Sequence, residues 1–120
     1  MAQSAFETAE PIAAIDRGHL TRMTFGDRSL EQEVLQLFDR QASLLIARMR
    51  NGDGALVGAL AHTLKGSAAG IGAGQVARAA AEADRAAADA PAELSATIDR
   101  LALAVDEARA LIAELLRQDA

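Results

Sequence analysis

The 120-residue sequence predicts an all-α protein, an up-down antiparallel four-helix bundle with an additional short N-terminal helix. Three observations carry that expectation. About a quarter of the residues are alanine, with two prolines, three phenylalanines and no tryptophan or tyrosine; such a composition favours helix and supplies little for a sheet. Toward the C-terminus, Leu94, Ile98, Leu101, Val105, Ala108, Ile112 and Leu115 are spaced alternately four and three apart, the seam of a helix packed at a shallow angle. The connections between helical stretches are short, which makes successive helices antiparallel neighbours.

Residues 1–11 are polar and end at Pro11. They are expected to form a flexible N-terminus ahead of a single bundle domain over residues 12–120. A short helix from Ile12 to Met23 comes first, and Gly26 and Asp27 break it. Ser29 with Gln32 three residues later resembles a capping box. It would open a long helix to about Met49, with Leu30, Val34, Leu37, Phe38, Leu44 and Leu45 inward. Asn51-Gly52-Asp53-Gly54 reads as a turn, with Asp53 placed to cap a helix from Ala55 to Ile71. Gly70, Gly72 and Gly74 mark its end. A fourth helix, from Gln75 to Ala90, has a seam at Val76, Ala80, Ala83, Ala87 and Ala90. Knobs that small let neighbouring helices come close. Pro91 punctuates, and the last helix spans Ala92 to Arg117.

Composition excludes several functions. With no cysteine there are no disulfides, thiolate metal ligands or thiol catalysis. The formal charge is −5 and the pI about 4.9, against the basic stripe and stacking aromatics that nucleic acid requires. No uncharged apolar run approaches the roughly 18–20 residues that span a bilayer. The first fifteen residues carry Glu7 and Glu10 and lack an apolar signal core. A cytoplasmic protein without nucleic-acid or membrane partners is expected, and a closed bundle seam argues for a monomer.

The chemistry concentrates at residues 62–67, His-Thr-Leu-Lys-Gly-Ser. Lys65 is the only lysine beside eleven arginines. Its spacing of three from His62 sets an ammonium beside the imidazole on a helix. A neutral imidazole nitrogen is a nucleophile, and a nearby cation stabilises an anion placed on it. On a wheel of about 100° per residue, Leu56, Val57, Leu60, Leu64, Ser67, Ala68 and Ile71 share one face, and His62 points the opposite way, to solvent. Gly58 and Gly66 lie one turn on either side. Mid-helix glycine costs about 1 kcal/mol relative to alanine, so bare backbone there suggests clearance for a bulky partner. Folding the chain antiparallel about Gly72 and Ala73 brings Asp84 to the height of His62. A carboxylate on one ring nitrogen would fix the tautomer and leave the other free to attack.

From Ala61 to Ala73 the sequence resembles very closely the signature of histidine phosphotransfer (HPt) domains, and the resemblance continues more loosely through Val76, Ala77 and Ala80. Helix order and lengths extend it over most of the chain. The resemblance implies a four-helix bundle with an extra N-terminal helix. It implies a phosphoryl carrier, without kinase or phosphatase activity of its own, that exchanges phosphate with the aspartates of receiver domains. His62 would be the phosphoacceptor, Lys65 would steady the phosphoryl oxygens, and Gly66 would give the receiver access. Asp84 falls where members often carry a glutamate or glutamine hydrogen-bonded to the histidine; it is one methylene shorter than glutamate. The implied partners are response-regulator receiver domains and a hybrid sensor histidine kinase. No cofactor is implied for this chain; Mg2+ would belong to the receiver.

The small residues Gly58, Ala59, Gly66 and Ala69 would let an apolar receiver helix lie flat. Arg48, Arg50 and Arg78 are candidates for a supporting positive field. Three other readings compete. In one the protein is an adaptor bundle with an incidental histidine. A histidine kinase dimerisation domain is a second, but it would place an acidic residue where Thr63 stands. The third is a metal site, for which His19 is the only other histidine and a poor partner at that distance in sequence.

Overall fold

The computed structural model describes residues 14–118, and every element in that span is helical. The N-terminus expected to be flexible, and the expected helix start at Ile12, lie outside the described residues. Helix α1 spans Arg17–Met23, α2 Arg28–Arg50, α3 Gly54–Ile71, α4 Gly74–Asp89 and α5 Leu94–Gln118, with one 3-10 turn at Pro91–Glu93 ahead of α5.

Aspartate opens each of the first three helices. The carboxylates of Asp16, Asp27 and Asp53 accept from the backbone N–H of His19, Leu30 and Leu56 at 3.1, 3.0 and 3.0 Å, satisfying donors that a helix start otherwise leaves orphaned. Asp53 therefore caps α3 as the sequence indicated. The capping box at Ser29 and Gln32 does not form the start of α2. Phe25 and Gly26, at φ 57° and 73°, turn the chain sharply and deliver Asp27 in extended geometry to the cap position, so Ser29 falls inside the first turn. Helix α4 has no side-chain cap.

The bundle closes as a ring of contacts, α2 on α3, α3 on α4, α4 on α5 and α5 back on α2. Helix α5 buries Ile98, Leu101, Val105, Ala108, Ile112 and Leu115 as its spacing predicts, adds Thr97, and leaves Leu94 half-buried. Helix α4 buries Val76, Ala80 and Ala83, but Ala86 takes the place expected of Ala87 and Ala90. In α3 the buried set is Val57, Leu60, Ala61, Leu64, Ala68 and Ile71; Leu56 is exposed and Ser67 half-buried.

Helix α2 departs most from its sequence pattern. Its inward residues are Glu31, Leu35, Phe38, Ala42, Leu45 and Met49. Leu30, Leu37 and Leu44 face outward and Val34 is half-buried. Two stripes of seven-residue period run side by side on this helix, and the one holding Phe38 and Leu45 is the one the bundle covers.

Two ion pairs tie α2 to α5, Arg50–Asp99 at 3.0 Å and Arg109–Asp39 at 2.7 Å. Stepping back eleven residues along α2 moves the contact forward ten along α5. The Asp39 hydrogen bond raises the pKa of Arg109 above the ordinary arginine value, against a smaller opposing effect of burial.

Helix α1 closes over the end of α3. The Asp16 N–H donates to the Gly72 carbonyl at 2.9 Å, and His19 Nε2 donates to the Gly70 carbonyl at 3.1 Å. His19 is half-buried and engaged with the end of α3. Gly72 is required here twice over. Its φ is 82°, and a Cβ would stand 2.9 Å from the Asp16 carbonyl oxygen.

Candidate functional site

His62 sits near the middle of α3, a little over half a turn around the helix from the buried Leu60 and Leu64 stripe that anchors it. That anchoring sets the ring's direction, and 70% of the His62 side chain is open to solvent. Its neighbours along the open face are Ala55, Ala59, Thr63, Gly66 and Ala69, all exposed. The Thr63 hydroxyl turns into its own helix and donates to the Ala59 carbonyl at 3.1 Å.

Helix α4 supplies the carboxylate. Asp84 Oδ2 lies 3.6 Å from His62 Nδ1, close enough for electrostatic attraction and too long for a direct hydrogen bond. The antiparallel fold about Gly72 and Ala73 therefore brings the two residues together. Because Nδ1 is the atom turned to Asp84, Nε2 is the nitrogen left for an incoming group.

The two glycines flanking His62 are not equivalent. A Cβ on Gly58 would meet Asp84 Oδ1 at 3.4 Å and the Ala87 methyl at 3.6 Å, whereas one on Gly66 would meet nothing within 4 Å. Gly58 belongs to the seam between α3 and α4, where its missing side chain leaves room for Asp84, a placement that residue spacing alone does not separate from clearance for a partner. Gly66 lies on open surface.

Lys65 is half-buried rather than fully exposed. Its aliphatic stem covers part of the helix surface, as long cationic side chains do. The ammonium makes no ion pair or hydrogen bond among the described residues, so its charge is uncommitted.

The arginines considered as a supporting field do not gather there. Arg50 is engaged with Asp99. Arg48 lines the corner between α2 and α3 with Ala47, Asn51 and Leu56. Arg78 reaches back over Gly74. Among the described residues no group of three or more histidine or acidic side chains could hold a metal ion, and no helix is long and apolar enough to cross a membrane.

An exposed imidazole with a carboxylate 3.6 Å from one ring nitrogen, followed one turn later by an unpaired cation, is an arrangement suited to carrying a transferable anionic group. The sequence model of the Hpt domain matches residues 28–118. The match spans α2 to α5, and the chain belongs to the Hpt domain family. That membership means histidine phosphotransfer within a phosphorelay, by phosphocarriers rather than enzymes in general, working with the receiver and kinase proteins of two-component systems. No curated protein and no solved structure matches the chain significantly.

Proposed function

We propose that His62 is the phosphoacceptor and that the protein shuttles a phosphoryl group between the aspartates of receiver domains through Nε2. The observation that carries this is the orientation of the ring, with Nδ1 toward Asp84 at 3.6 Å and the opposite edge in solvent.

In the forward step the Nε2 lone pair attacks the phosphorus of an aspartyl phosphate. The bond from phosphorus to the acyl oxygen breaks, and the receiver carboxylate leaves with the electron pair. The Nδ1 proton stays on the ring, facing Asp84, whose negative charge offsets the positive charge that develops on the imidazole. Lys65 lies one turn on and offers its ammonium to the phosphoryl oxygens. Transfer of this kind depends on positioning and electrostatics more than on covalent help. The reverse step uses the same contacts, so the site serves flow in either direction. The receiver's own acidic cluster and Mg2+ complete the site, and this chain needs no cofactor.

Docking uses the small-residue face around His62. Ala59, Gly66 and Ala69 let an apolar receiver helix approach the ring, and Gly66 gives the closest access. The bundle that presents this face is read as up-down and antiparallel over residues 12–120. The reversed order of the Arg50–Asp99 and Arg109–Asp39 contacts supports that reading. The partners are response-regulator receivers and a hybrid sensor kinase, and the setting is the cytoplasm.

The test is incubation with a phosphorylated receiver domain, tracking acid-labile, base-stable label on this chain. Wild type takes up label and His62→Gln takes up none. Label on His62→Gln, or none on either protein, refutes the assignment.

A further inference from the structure

The turn Asn51-Gly52-Asp53-Gly54 takes no part in the phosphotransfer chemistry, yet it joins α2 directly to the histidine helix. Asn51 is the only asparagine of the chain. It is exposed and forms the C-cap of α2, where its side-chain Nδ2 donates to the Ala47 carbonyl at 3.1 Å. Two residues on, Asp53 caps α3 through the Leu56 N–H. Between them Gly52 is fixed by packing. A Cβ there would stand 3.0 Å from Leu56 Cδ2 and 3.2 Å from the Arg48 carbonyl oxygen. The close approach that requires glycine at this position also leaves the backbone nitrogen after Asn51 without a side chain to shield it. Asparagine amides are among the thermolabile groups of proteins.

We propose that Asn51 is a site of spontaneous deamidation, and that opening of this corner sets its rate. In the reaction a base takes the Gly52 amide proton and the nitrogen bonds to Asn51 Cγ. The Cγ–Nδ2 bond breaks, and ammonia leaves with a proton from solvent. Water then opens the cyclic imide at one carbonyl or the other, giving aspartate or isoaspartate. The folded turn opposes ring closure. With ψ of Asn51 at 2°, the Gly52 nitrogen is turned away from the side-chain carbon. The Gly52 N–H is also held by the Met49 carbonyl at 3.3 Å, and the leaving amide by Ala47. All of these restraints lie at the last turn of α2, the part of a helix that frays first. Isoaspartate routes the main chain through the side-chain carbon, adding a methylene where Gly52 packs against Leu56. It also replaces the donor to Ala47 with a carboxylate at the negative end of the α2 dipole. Both caps loosen, and the histidine helix frays at its start. The proposal is independent of the phosphoacceptor assignment.

The test is incubation of the full chain at mildly alkaline pH, with peptide mass spectrometry and electron-transfer fragmentation following residue 51. Folded wild type accumulates aspartate and isoaspartate there, about tenfold or more slower than the same chain unfolded in urea, because the closed corner must open first. Hydrogen exchange at the Leu56 amide is about fivefold faster in the isoaspartate form, the effect of a lost cap. Asn51→Asp keeps the main chain intact and changes that exchange about twofold at most. A folded chain that keeps its amide while the unfolded one loses it, or equal rates in the two, overturns the proposal. So does an isoaspartate form whose Leu56 amide exchanges like that of wild type.

Discussion

The two turns flanking His62 carry the same residue for opposite reasons. On the N-terminal side, Gly58 faces α4 and leaves room for the carboxylate that meets the ring. On the C-terminal side, Gly66 faces open space. One glycine lies in the seam between α3 and α4 and the other on open surface, so a side chain added at each should disturb different properties. The difference shows that a mid-helix glycine is explained by what its missing Cβ would touch.

The largest effect after loss of the histidine itself is expected from Gly66→Leu. It should raise thermal stability, because leucine gains about 0.8 kcal/mol of helix propensity over glycine. It should also slow transfer from a phosphorylated receiver at least tenfold, because the incoming group is held off line. Normal transfer would mean the receiver does not cross that turn. Lys65→Ala is expected to fold like wild type and slow transfer about tenfold, the loss of one charge-assisted contact; phosphohistidine formation followed over time measures it. Asp84→Ala should reduce transfer several-fold, and Asp84→Glu should recover it by closing the 3.6 Å gap. A ring-nitrogen chemical shift that ignores both substitutions would remove Asp84 from the orienting role. The smallest effect belongs to Gly58→Ala. Its propensity gain of about 1 kcal/mol is offset by crowding against Asp84 and Ala87, so the unfolding midpoint should barely move while transfer falls about twofold. If Gly58→Ala and Gly66→Ala behave alike in both assays, the asymmetry has no functional weight.

How much of this was legible in the sequence varied by helix, for a physical reason. In α5 one stripe keeps the four-three spacing from Leu94 to Leu115, while Leu103, Leu111 and Leu116 do not repeat at that spacing, and the sustained stripe is the buried one. In α2 two stripes compete. The outward one holds Leu30, Val34, Leu37 and Leu44, while the buried one includes Glu31 and Ala42. Hydrophobicity alone picks from both, Phe38 and Leu45 correctly and Leu30, Leu37 and Leu44 wrongly, because burial is decided by which face α3 and α5 cover. Histidine orientation was legible because Leu60 and Leu64 define the inward direction of α3 without rivals. The pairing of His62 with Asp84 followed from the height of the two residues above the Gly72 turn. The separate roles of Gly58 and Gly66 were not legible, since glycine carries no side chain by which a pattern could distinguish them. Nor was the Asp27 cap, which depends on the left-handed turn at Phe25 and Gly26.

The small helix α1 has a consequence for where this domain physically starts. The family match begins at Arg28, yet Ile15, Leu20 and Thr24 are fully buried and the carbonyls of Gly70 and Gly72 are satisfied from α1. A chain trimmed to the matched region would uncover apolar side chains and orphan two acceptors at the exit of the histidine helix. The cooperative folding unit is therefore longer than the stretch that sequence comparison recognises, and its missing piece is a clasp on the helix that carries the chemistry.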